Sequence, residues 1–172
     1  FDGVTVFGIR TGAKDESFRI PPDLPPGPLQ ALLPMKVARV ESLRPGTTRE
    51  IAWGNRRYAC PTWAEMIEPH AGLDVLASFA TGAPAFTRKG PRFYLAAWPT
   101  RELALDVVQH ALDAAGVAAT LLPDDVRLRR RGRITFGFNF GTDARLAPSP
   151  SSARYVLGAQ TIPAHNFSAW FS

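Results

Sequence analysis

An α/β domain over residues 1–122, followed by a small antiparallel β domain over residues 123–172, is the fold class that the residue pattern predicts. Three observations carry it. Val4-Thr5-Val6-Phe7-Gly8-Ile9 is a nearly continuous apolar, β-rich run, the form taken by a strand buried on both faces in a parallel sheet. Leu103, Val107, Ala111 and Ala114 then fall at helical spacing on one face. From Val126 to the end the apolar period becomes two, which is the period of antiparallel strands with one face inward.

Taken in order, the first run ends in the polar segment Arg10-Thr11-Gly12-Ala13-Lys14-Asp15-Glu16, at the carboxyl end of a strand, where open α/β sheets usually place their sites. Residues 21–28, Pro-Pro-Asp-Leu-Pro-Pro-Gly-Pro, are neither helix nor central strand, because proline lacks the N–H both require. A short helix is expected from Pro28 to Leu33, and short strands at Met35 to Val40, Glu50 to Trp53 and Arg57 to Cys60. Trp63 to Ile67 reads as one helical turn closed by Pro69, Leu73 to Phe79 as strand, and Gly82 to Gly90 as a turn-rich connection. Arg92 to Trp98 is a strand. Arg101 to Ala115 is the best helix, with Thr100 to cap it, Glu102 in its first turn and Gly116 to end it. Beyond it, Val126 and Leu128 face Ile134, Phe136, Phe138 and Phe140 across a turn at Arg131-Gly132, and Ala153 to Leu157 and Asn166 to Phe171 are further strands.

The net charge of +5 and high pI invite a nucleic-acid partner, so the distribution of charge decides. Residues 1–86 hold nine basic and nine acidic side chains; residues 87–172 hold eleven and six and supply the whole excess. Arg127, Arg129, Arg130, Arg131 and Arg133 cluster at one hairpin, which reads as a solvated turn; no nucleic acid is expected as partner. No apolar run reaches the length of a membrane span, so no membrane is expected either. The single cysteine, Cys60, excludes an internal disulfide and a multi-cysteine zinc site, and fits a reducing, cytoplasmic compartment; no metal or cofactor is expected. The opening Phe1-Asp2-Gly3-Val4 is neither an initiator Met nor a signal peptide, and a strand so close to it reads as an excised or processed segment.

With these elements assigned, Phe7-Gly8-Ile9-Arg10-Thr11-Gly12-Ala13-Lys14-Asp15-Glu16 resembles the strand and arginine-threonine-glycine loop of the middle domain of family 42 glycoside hydrolases, the β-galactosidases. Leu24-Pro25 to Leu32 resembles the proline-glycine-leucine segment that follows it, and Ala80-Thr81-Gly82-Ala83-Pro84-Ala85-Phe86-Thr87-Arg88, Gly90 and Phe93-Tyr94-Leu95-Ala96 the second signature. Ala115-Gly116-Val117, Pro123 and Val126 through Arg130 continue the order, and Phe138-Asn139-Phe140-Gly141 is similar to the asparagine-bearing strand of the family's small C-terminal domain. The resemblance implies an incomplete flavodoxin-like, three-layer domain similar to class I glutamine amidotransferases, entered after its first strands, and then the small β domain. It also implies a homo-oligomer, with the two catalytic glutamates on an upstream (β/α)8 barrel that this chain does not contain.

Each candidate chemistry has a plainer reading. A retaining glycosidase needs two carboxyl groups about 5 Å apart in a cleft; Glu65 and Glu68 are the closest-spaced glutamates, and a solvated polar face is the expected role for both. Cys60 stands in Tyr58-Ala59-Cys60-Pro61-Thr62, without the flanking glycines of an amidotransferase elbow, and His70, His110 and His165 form no pair. Arg10, Thr11, Gly12, Lys14, Asp15 and Glu16 are the binding or interface candidates, either touching the barrel or a neighbouring subunit, or paired among themselves. The expected function is non-catalytic assembly within a β-galactosidase. The alternative is a stand-alone carbohydrate- or ligand-binding module using Trp53, Trp63, Trp98 or Trp170 as a platform.

Overall fold

In a computed structural model that describes residues 3–171, the chain divides into two units, one ending at Ala119 and the other beginning at Thr120, each with its own buried cluster. The first contains β1 (Thr5–Phe7), β2 (Met35–Ser42), β3 (Arg49–Trp53), β4 (Arg56–Cys60), β5 (Trp63–Pro69), β6 (Asp74–Phe79), β7 (Pro84–Lys89), β8 (Arg92–Leu95) and the helix α1 (Arg101–Ala114). Six strands form one curled, unclosed sheet in the order β1-β8-β7-β6-β3-β4, and β2 pairs with β5 alone. β1 runs parallel to β8, with Phe7 opposite Tyr94; the other pairs are antiparallel. The unit is therefore α/β with a mixed sheet and, among the described residues, a single α-helix.

α1 begins at Thr100, whose hydroxyl accepts from the Leu103 N–H at 3.4 Å, and buries Leu103, Val107 and Ala111. Its next turn offers His110 edge-on to Trp53, Phe86 and Phe93, with ring centroids 5.3, 6.0 and 5.5 Å away. These rings come from β3, β7 and β8, so one helical face covers the middle of the sheet. His110 is a packing residue.

Several expected elements change. The first strand is shorter than Val4 to Ile9 and lies at the sheet edge with one partner; Val6 is 41% exposed, so the run is not covered on both faces. Trp63 to Ile67 is strand, because it pairs with β2 along its length and meets residues 96–98 through Ala64 and Glu65, with Ala64, Glu65 and Ile67 buried. Gly82 to Gly90 is not a connection: its two glycines are turn residues with φ of 85° and 57°, and the strand β7 between them buries Ala85, Phe86 and Thr87. The helix expected after Pro28 is a 3-10 turn at Gly27–Ala31.

The second unit holds β9 (Val126–Arg131), β10 (Ile134–Asn139), β11 (Arg145–Leu146), β12 (Arg154–Leu157), β13 (Thr161–Ile162) and β14 (Asn166–Phe171). Its main sheet has the order β12-β14-β10-β9, all antiparallel, with β11 and β13 paired apart. The β9–β10 turn is Gly132-Arg133, one residue later than expected, since Arg131 pairs with Ile134 and Gly132 takes the positive φ of 58°. Ile134, Phe136, Phe138 and Phe140 do share a side, but it is not the side that makes the core. The core forms on the opposite face, where Trp170 and Ile162 close over Gly137. Asn139, also on that face, donates through Nδ2 to the carbonyls of Asp143, Ile162 and Pro163 and accepts from Gly141 N–H through Oδ1. One buried amide thus ties β10 to two loops.

Gly137 leaves space for an indole: a Cβ there would stand 2.9 Å from Trp170 Cη2 and Cζ3 and 3.2 Å from Ile162 Cδ1. Gly137→Ala is expected to destabilise the second unit by about 1–3 kcal/mol through overpacking. Chemical denaturation followed by tryptophan fluorescence checks this; an unchanged midpoint would show that the indole has room to move.

Candidate functional site

The loop that follows β1 is built on a carboxylate from β5. β8 continues as residues 96–98, and two segments lie along the same side of this line: β1 beside Arg92 to Tyr94, and β5 beside Ala96 to Trp98. Glu65 N–H donates to the Ala96 carbonyl and Trp98 N–H to the Trp63 carbonyl, both at 2.8 Å. That arrangement brings the end of β1 onto Glu65. Arg10 N–H donates to Glu65 Oε1 at 2.8 Å, and the Tyr94 hydroxyl donates to Oε2 at 2.5 Å. Glu65 is only 1% exposed, the one acidic side chain buried among the described residues. The expected solvated role for Glu65 is overturned, because each of its oxygens has a donor that water would otherwise supply.

Above this anchor the loop is held residue by residue. Arg10 has φ of 65°, and its guanidinium lies 5.5 Å from the Trp63 ring centroid, a cation–π contact. Thr11 Oγ1 donates to the Gly8 carbonyl at 2.6 Å. Gly12 has φ of 70° and sits so close to the Pro26 carbonyl that a Cβ would overlap it. Asp15 Oδ1 accepts from Ser17 N–H at 2.8 Å and Arg19 N–H at 2.9 Å, while Asp15 N–H donates to the Arg19 carbonyl. Lys14 and Glu16 have no ion pair among the described residues; with Gly12, Asp15, Pro21 and Pro28 they line an open cleft of about 640 Å³. Gly12, Lys14, Asp15 and Glu16 meet at this cleft, while Arg10 turns to Trp63 and Glu65 and Thr11 to the Gly8 carbonyl. Glu65, Tyr94 and Trp63 belong to this site and were not expected in it. No spacing signal joins positions so far apart.

Other candidates resolve as structure. Cys60 is buried, its thiol pushed up by desolvation, and it donates to the Trp63 carbonyl at 3.1 Å. Among the described residues no group of His, Cys, Asp or Glu could hold a metal, and no helix is long and apolar enough to cross a membrane. Trp170 is 1% exposed, Trp53 and Trp63 are half-buried, and Trp98 is 59% exposed beside Trp63. Arg127, Arg129 and Arg130 lie along β9 and only Arg131 and Arg133 reach the turn; Arg127 donates to the carbonyls of Asp124 and Val126 and Arg130 to that of Gly132.

Two outcomes follow from the buried donors. Glu65→Gln places an amide N–H against one of two donors and is expected to cost about 1–3 kcal/mol. Urea denaturation in a cycle with Tyr94→Phe measures it; additive costs would mean the pair is not coupled. At high pH the hydroxyls dominate. Burial, then Glu65's charge and hydrogen bond, raise the Tyr94 phenol, and burial, then the hydrogen bond to Asp106, push Tyr58 up to about 12 from 10.0. A raised folded pKa gives stability that is complete below the unfolded value and lost as pH rises through the folded one. Stability should thus fall between pH 10 and about 12, and Tyr58→Phe should flatten that slope. A slope unchanged by the substitution, in denaturation across that window, would remove Tyr58 as its cause.

The comparisons agree with this architecture. Residues 1–118 match the family model described as the β-galactosidase trimerisation domain. The chain is similar to the β-galactosidase BgaA of a Thermus species, 44% identical over 98% of this chain and 26% of that protein, and to BgaH of Haloferax lucentense, 35% identical over 94% and 26%. The β-galactosidase crystal structure from the psychrophilic Marinomonas ef1 superposes with a TM-score of 0.90 at 30% identity, over 100% of this chain and 26% of that one. The chain thus spans about a quarter of the length of its relatives. By the match over its first unit, the chain belongs to the β-galactosidase trimerisation-domain family.

Proposed function

We propose that the chain is the non-catalytic assembly region of a β-galactosidase whose catalytic (β/α)8 barrel lies in another part of the polypeptide and hydrolyses terminal non-reducing β-D-galactosides. The observation that carries this is the state of the one buried acidic side chain among the described residues: one Glu65 oxygen holds the Arg10 loop, and the other accepts from Tyr94, which closes the site from the sheet side. A nucleophile or an acid catalyst needs access to substrate. Similarity to β-galactosidases over about a quarter of their length supports a part rather than a whole enzyme.

The first unit is, in this reading, the later portion of a flavodoxin-like domain: the parallel β1–β8 pair at the sheet edge is the start of its parallel side, on which further strands would add. Assembly is homo-oligomeric and runs through this unit. Arg10, Thr11, Gly12, Lys14, Asp15 and Glu16 face the neighbour, with Trp98 as the exposed aromatic at their flank. A lone exposed tryptophan suits a protein contact better than a sugar platform. A cytoplasmic location fits the single buried cysteine.

The 172-residue chain is expected to show no turnover of a chromogenic galactoside and to associate in a concentration-dependent way in light scattering. Turnover that survives removal of contaminating enzyme, or a monomer at every concentration, would overturn the reading.

A further inference from the structure

We propose that the cleft between the β3–β4 turn and α1 is a binding site for a neutral pyranose sugar, with Trp53 as its apolar wall and Asp106 and Asp113 as acceptors for its hydroxyls. The site shares no residue with the Arg10 loop and does not rest on the assembly reading above. Its residues meet for local reasons. Trp53 and Arg56 flank the two-residue turn Gly54-Asn55, and Asp106, His110 and Asp113 follow one another at helical spacing along α1. Turn and helix enclose a cleft of about 380 Å³, within the range of small-molecule sites.

The walls are set before a ligand arrives. The Trp53 indole is braced edge-on by Phe86 and His110, with ring centroids 5.0 and 5.3 Å away, yet it is only half-buried and lines the cleft. Asp106 Oδ2 accepts from the Tyr58 hydroxyl and pairs with Arg56 Nη1, both at 2.5 Å, and the Arg56 guanidinium lies 5.3 Å from the Tyr58 ring centroid. Gln109 Nε2 donates to Asp113 Oδ1 at 2.7 Å. A carboxylate accepts at several positions, so both aspartates, fixed through one oxygen, keep capacity for a ligand hydroxyl. His110, which also lines the cleft, has a buried Nε2 with no hydrogen-bond partner, and a polar atom left unsatisfied there is a sign of a missing partner.

The mixture of groups selects the ligand class. A pyranose presents apolar C–H edges to an aromatic ring, and its hydroxyls donate to carboxylates and accept from amides and guanidinium. Two carboxylates against one guanidinium disfavour an anion. Among the described residues no group of His, Cys, Asp or Glu suits a metal. Trp53 is less exposed than Trp98 and stands among these polar groups, which is the setting of a ligand platform.

The test is an NMR titration of the 172-residue chain with galactose, glucose and, as the acyclic control, sorbitol. It is read at the Trp53 indole N–H, which Trp53→Phe identifies. At least one of the two sugars is expected to shift this resonance to saturation with a dissociation constant on the order of 1 mM, and sorbitol is not. Asp106→Asn and Asp113→Ala are each expected to weaken that binding about tenfold by removing a charged acceptor. Asp106→Asn keeps the side chain's shape and Asp113→Ala changes an exposed helix position, which covers the case that one variant folds poorly. A titration in which neither sugar moves the resonance, sorbitol binding as tightly as the sugars, or sugar binding that neither variant weakens overturns the site. The assembly reading stands in each of those cases.

Discussion

A carboxylate that water cannot reach organises the first unit. Glu65 is buried on a sheet face, where an unpaired charge would cost several kcal/mol, roughly the whole margin by which small domains are stable. It is tolerated because a backbone amide and a phenol, neither of them charged, donate to its two oxygens. Those donors come from the loop after β1 and from β8, so the carboxylate is a junction of three segments far apart in sequence. The dependence runs one way. The sheet could form around another residue at position 65, but the Arg10 N–H, set in a left-handed turn, is aimed at the Glu65 carboxylate.

The loop's form then follows by contact rather than by charge pairing. Arg10 spreads over Trp63, Gly12 admits the Pro26 carbonyl, and Asp15 turns its carboxylate inward onto amides. What remains on the outside is the cleft with Lys14 and Glu16. The same economy governs the second unit, where Gly137 gives Trp170 its space and Asn139 is spent on three carbonyls. There too the stabilising chemistry faces inward, and Phe136, Phe138 and Phe140 stack on one another at 6.2–6.4 Å along the other face.

The polar groups of the Arg10 loop hold its shape, Asp15 and Arg10 each through hydrogen bonds to or from backbone amides. That is the profile of a part that positions other parts. In the assembly role proposed above, such a unit would fix the geometry between subunits.

The sequence by itself determined the class and the punctuation of this fold. The α1 stripe, the Thr100 cap, the strands from Met35 and Arg92, and the two-residue period after Val126 were legible because their causes are local: spacing, capping and alternation. The residues around Arg10 were legible as a polar loop at the carboxyl end of the first strand for the same reason. Only the tertiary structure decided the rest. Trp63 to Pro69 became strand because partners stand on both sides of it, and β7 emerged from between two glycines whose turns had masked it. Glu65 passed from an ordinary surface glutamate to the buried centre of the site because pairing across β8 set Arg10 and Tyr94 against it. Burial of a charge depends on who stands opposite, and that is a property of register between distant strands, which no local pattern contains.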